Sequence, residues 1–277
     1  MCKNIKDIEK VMTIFKKSEG TIRPHFILTG PSGSGKSFNI QAIANTLEVP
    51  FLEINAAQLT KEGTSGNSLS KALSPLVNMK PGPKIIFVDE FDKLFISGNT
   101  NSELAHETTN GVQNEFLKIL ESKYASVYGD FGKYVNVGIG NVLFVFAGAF
   151  NGEPDITIDK LREYGLKTEF LGRTGLIYNL ERLTLEKLKE ILDTSELLAS
   201  YSELFDLEVE KIEEAKELIF EFISKVYENN SLGARLINTL IHQYFINSGK
   251  LDAEEVKKLS FQSKMSLEYD EEEFKFG

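Results

Sequence analysis

The sequence holds one cysteine, Cys2, in 277 residues. An internal disulfide is excluded, and so is any Cys-x-x-Cys zinc module. A reducing cytoplasm is the expected compartment. Histidine is scarce as well. His25, His106 and His242 are scattered, with no carboxylates or thiols clustered at ligand spacing. No zinc is expected, nor any metal held by such a cluster. No Ser/His/Asp order stands out, which disfavours intrinsic protease or esterase chemistry. Long apolar runs are missing too: the longest, Val142–Phe150, has nine residues, whereas a membrane helix needs roughly 20. The segment Met1–Asp7 lacks the apolar core of a secretory signal, so no membrane partner is expected. There is also no basic stripe. Nucleic-acid binding rests largely on Lys and Arg neutralising phosphates, and that class of partner is disfavoured.

What is present fits a folded globular chain, with 42 % hydrophobic and 26 % charged residues. The net charge of −10 is unevenly placed: residues 1–183 carry 20 basic and 20 acidic groups, and residues 184–277 carry 11 basic and 21 acidic groups. The acidic face of the second part reads as a solvated surface.

Short apolar runs alternate with helical patterns over the first part. Strands are predicted at His25–Thr29, Phe51–Ile54, Lys84–Val88, Val142–Phe146 and Gly175–Asn179. They lack polar alternation, as strands buried on both faces of a parallel sheet do. Helices are predicted at Ser37–Leu47, at Gly111–Glu121, and at Ile5–Lys17, where Ile8, Val11, Met12 and Phe15 share a face. Beyond Leu180 the strand signal stops. Leu207–Val226 and the stretch from Leu232 to Phe245 carry apolar residues at helical spacing. The expected organisation is an α/β domain over residues 1–183, a small all-α domain over 184–265, and an acidic tail over 266–277.

Gly30-Pro31-Ser32-Gly33-Ser34-Gly35-Lys36-Ser37 matches G-x-x-x-x-G-K-[ST] without a mismatch. It follows a predicted strand and opens a predicted helix, the context this phosphate loop requires. Its glycines let backbone N–H groups turn inward, and the helix N-terminus adds partial positive charge. Lys36 suits the β- and γ-phosphates of a nucleoside triphosphate, and the Ser37 hydroxyl suits Mg²⁺. The partner segment is Ile85-Ile86-Phe87-Val88-Asp89-Glu90, an apolar run ending in two carboxylates. Asp89 would hold the Mg²⁺ through water, and Glu90 would orient and polarise the attacking water. A nucleoside triphosphatase follows from this chemistry alone.

Several further stretches give a resemblance to a family: Val88–Leu94, Gly111-Val112-Gln113, Val142–Phe150, Tyr164-Gly165-Leu166, Glu169-Phe170-Leu171-Gly172-Arg173, Leu183–Glu186 and Ser231-Leu232-Gly233-Ala234-Arg235. Together with the phosphate loop they resemble the AAA+ ATPases, and among these the clade of the ClpX and HslU protein unfoldases. The resemblance covers roughly residues 24–250. It implies a P-loop NTPase fold with a five-stranded parallel sheet and a helical lid. It further implies ATP and Mg²⁺ as ligands, a homo-oligomeric ring, usually a hexamer, and a protein substrate. By position, Arg173 matches the arginine finger that reaches a neighbouring subunit's site, and Arg235 matches the sensor-2 arginine that touches the phosphates from the lid. Asn151 is the nearest candidate for the sensor-1 group.

The chain also departs from that pattern. The zinc-binding N-terminal module and the Val-Ile-Gly-Gln segment before the phosphate loop are missing, which leaves adenine selectivity open. The place of the aromatic-aliphatic pore loop reads Gly63-Thr64-Ser65-Gly66. The segment Lys123–Asn141, with Tyr124, Tyr128, Phe131 and Tyr134, corresponds to a second pore loop; its aromatics either grip substrate or pack on the domain body. The gap Asn151–Gly165 is short and has no Ile-Gly-Phe tripeptide, so coupling to a ClpP-type peptidase is not expected. The expected activity is ATP-dependent protein remodelling. The alternatives are a nucleotide-gated assembly scaffold and a nucleic-acid-directed ATPase of the clamp-loader or helicase-loader type.

Overall fold

The computed structural model describes residues 3–60, 66–95, 103–129, 132–230 and 232–251. In chain order the elements of the first part are α1 (Lys3–Lys17), β1 (Phe26–Thr29), α2 (Lys36–Thr46), β2 (Phe51–Asn55), β3 (Leu59–Thr60), β4 (Asn67–Ser68), α3 (Leu69–Ala72), β5 (Lys84–Asp89), α4 (Glu103–Glu121), β6 (Tyr124–Tyr128), β7 (Tyr134–Gly138), β8 (Val142–Gly148), α5 (Ile158–Glu163), α6 (Thr168–Arg173) and β9 (Leu176–Asn179). The second part contains α7 (Leu185–Asp193), α8 (Glu196–Leu204), α9 (Val209–Val226) and α10 (Arg235–Ile246). The chain divides into two compact units between Glu181 and Arg182.

The first unit is built on a five-stranded parallel sheet in the order β2-β5-β8-β1-β9. Each predicted strand is present, within two residues at either end. The missing polar alternation has its cause here. Ile27, Ile86, Val88, Phe144 and Phe146 enter one apolar cluster. Their neighbours Phe26, Leu28, Ile85, Phe87, Leu143 and Val145 enter the other. Both faces are covered, so every position in β1 and β8 is buried. Each large apolar side chain among them contributes about 1.5–3 kcal/mol by leaving water. One covering layer includes α1, through buried Ile5, Ile8, Met12 and Phe15, with Val11 partly buried at the edge. The opposite layer includes α4, through Val112, Phe116 and Leu120.

Three features differ from the sequence-based expectation. Helix α4 reaches back to Glu103 rather than starting at Gly111. The segment Lys123–Asn141 contains an antiparallel hairpin, β6 paired with β7; Phe131 lies outside the described residues. A short parallel ribbon, β3 with β4, flanks residues 61–65; the pore-loop residues Gly63, Thr64 and Ser65 lie outside the described residues.

The described part of the second unit packs α7, α8, α9 and α10 around Leu188, Leu192, Leu198, Ile219, Ile223, Leu236, Ile237, Leu240 and Ile241. Thr184 and Ser195 cap α7 and α8 by accepting from Lys187 N and Leu198 N, each at 3.3 Å. These two helices fill a stretch for which the sequence predicted helical character but no individual element. Arg182 lies 4.4 Å from the Tyr227 ring centroid, and Tyr227 Oη donates to the Leu183 carbonyl at 2.9 Å. That closes the start of the unit on the end of α9. Residues 252–265 of the expected lid and the 266–277 tail lie outside the described residues. No described helix is long and apolar enough to cross a membrane.

Candidate functional site

The phosphate loop lies where the sheet dictates, between the carboxyl end of β1 and the start of α2. Two glycines explain its shape. Gly35 caps α2 with a left-handed backbone, φ 82° and ψ 25°. Gly30 has φ 148°, and a Cβ there would stand 2.7 Å from the Leu180 carbonyl oxygen. Lys36 Nζ donates to the Gly30 and Pro31 carbonyls at 2.7 and 3.0 Å. Ser34 Oγ is buried with no hydrogen-bond partner. A buried orphan hydroxyl is costly, and it sits inside the loop that would receive phosphate oxygens. Ser32 is exposed, Gly33 and Ser37 are half-buried, and Ser37 is the second residue of α2.

The acidic wall forms at the ends of β5 and β2. Asp89 closes β5, and its register partner in β2 is Asn55. Asp89 Oδ1 accepts from Glu90 N at 2.8 Å, and Glu90 turns left-handed with φ 53°. Asn55 Nδ2 then donates to Glu90 Oε2 at 3.0 Å, while Asn55 Oδ1 accepts from Ala57 N at 2.8 Å. The Ala57 N–H fixes which way the Asn55 amide faces, and the amide fixes the Glu90 carboxylate. Sequence reasoning missed Asn55; its position at the end of β2 was the available signal. Glu53, on the same strand, has its carboxyl pushed up, first by burial and then by the Asp89 charge. The carboxylates that end β5 and the hydroxyl of Ser37 are hard oxygen donors, the type that suits Mg²⁺.

Two further side chains brace this edge. Asp92 is buried and accepts from Phe150 N at 3.1 Å, tying the turn after β5 to the turn after β8. Asn179, at the end of β9, accepts from Thr29 Oγ1 and from Ile156 N, the latter at 2.8 Å. Thr29 immediately precedes Gly30, so this network sets the entry to the phosphate loop. Asn151, the sensor-1 candidate, is exposed on the turn after β8, with left-handed φ 59°.

The two arginines stand on other elements. Arg173 ends α6 and forms an ion pair with Glu121, the last residue of α4; both side chains are about half exposed. Arg235 opens α10 in the second unit and is exposed. The turn before it is pinned by Asn230, whose Oδ1 accepts from Leu232 N and Gly233 N at 2.9 and 3.0 Å. Ser231 lies outside the described residues.

Residues 26–163 match the family described as "ATPase family associated with various cellular activities (AAA)". Two curated relatives are named "ATP-dependent Clp protease ATP-binding subunit ClpX", from two strains of Porphyromonas gingivalis, ATCC 33277 and W83. Each is 31% identical over an alignment of 169 positions that covers 57% of this chain and 40% of the relative. The chain thus spans less than half the length of these relatives. The five-stranded parallel sheet with its covering helices is consistent with that match. Residues 26–163 therefore form an AAA ATPase domain, and over 169 aligned residues the chain is similar to ClpX.

Proposed function

We propose that this protein hydrolyses ATP between subunits of a homo-oligomeric ring and uses the motion to remodel a protein partner in the cytoplasm. The observation that carries the reading is the pairing of the Gly30–Ser37 loop with a Glu90 carboxylate held by Asn55. Lys36 exchanges the Gly30 and Pro31 carbonyls for phosphate oxygens, and the Ser34 hydroxyl gains the acceptor it lacks. Mg²⁺, held by Ser37 and by Asp89 through water, would neutralise charge on the phosphates. Glu90 orients the attacking water and takes its proton. Arg173 stabilises charge in the neighbouring site, and Arg235 reports the phosphates to the lid.

The β6–β7 hairpin is the proposed grip. Its tyrosines occupy the outer face: Tyr124 is 70% exposed and Tyr134 53%. Ala125 and Val127 turn inward to the core. Replacing Tyr124 and Tyr134 by alanine is expected to abolish remodelling and leave basal hydrolysis intact. The Asn151–Gly165 connection is short, lacks an Ile-Gly-Phe tripeptide, and is tied to the domain body where Ile156 N donates to Asn179 and the Gly165 carbonyl accepts from Gln113. That supports a remodeller that works without a ClpP-type peptidase. The Gly63–Gly66 sequence favours the second reading, a nucleotide-gated scaffold with little translocation. Substrate-stimulated turnover separates the two, and stimulation by DNA would point to a nucleic-acid-directed ATPase.

The deciding experiment is the solution mass of Glu90→Gln by light scattering, with and without ATP and Mg²⁺. Loss of the base leaves ATP bound and slows hydrolysis by about 10²–10⁴-fold. A mass rising near sixfold only with ATP supports the ring. A monomer with ATP bound refutes it.

A further inference from the structure

Helix α6 has six residues and would be a poor platform by itself. Its neighbours make it a rigid one. Phe170 is fully buried, stacks on Phe91 at 5.2 Å between centroids, and meets the edge of Phe146 at 4.9 Å. Phe91 is the residue after Glu90. Helix α4 grips the start of α6: buried Gln113 donates to the Gly165 carbonyl and accepts from Lys167 N, both at 3.3 Å, and Lys167 Nζ donates to Asn114 Oδ1 at 2.6 Å. Two turns further along α4, Glu121 meets Arg173 at the other end of α6. Gln113 and Glu121 are about 12 Å apart along α4, and α6 is about 9 Å long, so one helix can hold both ends of the other.

The backbone under Arg173 is therefore fixed, and what remains loose is its long side chain. We infer that Glu121 is a positioning residue for Arg173, holding one Nη of the guanidinium so that the rest of the fork is presented outward to the neighbouring subunit's phosphates. The inference rests on the proposed finger role of Arg173 and deepens it. The physical reason is that an exposed ion pair does little for stability. It does restrict rotamers, and a charged donor that need not be oriented during the reaction loses less entropy when it engages.

The test uses the full chain and ATP turnover. Glu121→Ala is expected to lower kcat by about two- to fivefold, the range an exposed ion pair can supply. KM for ATP, the ATP-dependent mass and the melting temperature should stay as in the parent. Glu121→Gln retains an acceptor for a guanidinium N–H and should recover part of the loss. The double variant Glu121→Ala/Arg173→Ala should turn over no more slowly than Arg173→Ala, because Glu121 acts only through Arg173. Additive losses in the double variant, or a change in KM in place of kcat, would overturn the inference. If Arg173→Ala loses turnover while Glu121→Ala keeps it in full, the positioning role fails and the finger reading stands. Full turnover by Arg173→Ala would overturn both.

Discussion

Exchanging His25 for asparagine should remove part of the acid sensitivity of the fold. His25 is buried just before β1, and its Nδ1 accepts from Phe144 N at 3.0 Å. A ring nitrogen that accepts a backbone N–H must be unprotonated. Burial, and secondarily the Arg23 charge, push its pKa down to about 3 from an ordinary 6.5. The unfolded chain therefore binds a proton between those values and the folded chain does not. The contribution of His25 to stability is full above about pH 6.5 and falls as pH drops toward 3. At pH 5 the loss is about 2 kcal/mol, set almost wholly by the unfolded value because pH 5 still lies above the folded one. The asparagine side chain would not titrate, and its Oδ1 can accept the same N–H. The edge contact between the His25 and Phe144 rings, 5.7 Å between centroids, is lost in the variant. That costs about 0.5–1.5 kcal/mol at every pH. Urea unfolding of both proteins from pH 8 to pH 5 measures the difference, with other carboxylates and histidines cancelling in the comparison. The gap between His25→Asn and the parent should narrow or reverse by about 2 kcal/mol toward pH 5. Parallel curves would show that the folded protein takes up a proton at His25 as readily as the unfolded chain does, and the reasoning would fail.

Other perturbations act at the candidate site. Asn55→Asp keeps the acceptor for Ala57 N but replaces the amide donor to Glu90 with a repelling carboxylate; kcat should fall by about tenfold, the loss of one hydrogen bond to a charged group, and full turnover would show that Asn55 does not orient Glu90. Gly30→Ala places a Cβ 2.7 Å from the Leu180 carbonyl; it should cost about 1–3 kcal/mol in urea unfolding and lower ATP affinity in calorimetry. Gln113→Ala strips partners from the Gly165 carbonyl and Lys167 N; a loss of about 1–3 kcal/mol is expected, and a loss under a few tenths would mean water replaces the amide.

Much of this architecture can be read from local pattern. The five strands are visible because a strand covered on both faces has no polar position to keep, as in Val142–Phe146. The phosphate loop is visible because its shape depends on glycines adjacent in sequence. The hairpin was harder. In Tyr124–Tyr128 the buried positions are Ala125 and Val127 and the large rings stand outside, the reverse of the usual weighting. Aromatic content there pointed to function before it pointed to strands.

The individual strands, the glycine-rich turn Gly30–Ser37 and the carboxylates Asp89 and Glu90 were all legible in the chain, since each depends on neighbours within a few residues. Which side chains hold those groups became visible only once the chain was folded. Asn55 meets Glu90 across 35 positions, and Glu121 meets Arg173 across the fold from α4 to α6. The neutral state of His25 likewise depends on Phe144, a residue 119 positions away in sequence but on the neighbouring strand of the sheet. Such pairings depend on strand order and helix packing, and a hydrogen bond or ion pair between distant residues leaves no periodicity in the chain for a reader to find.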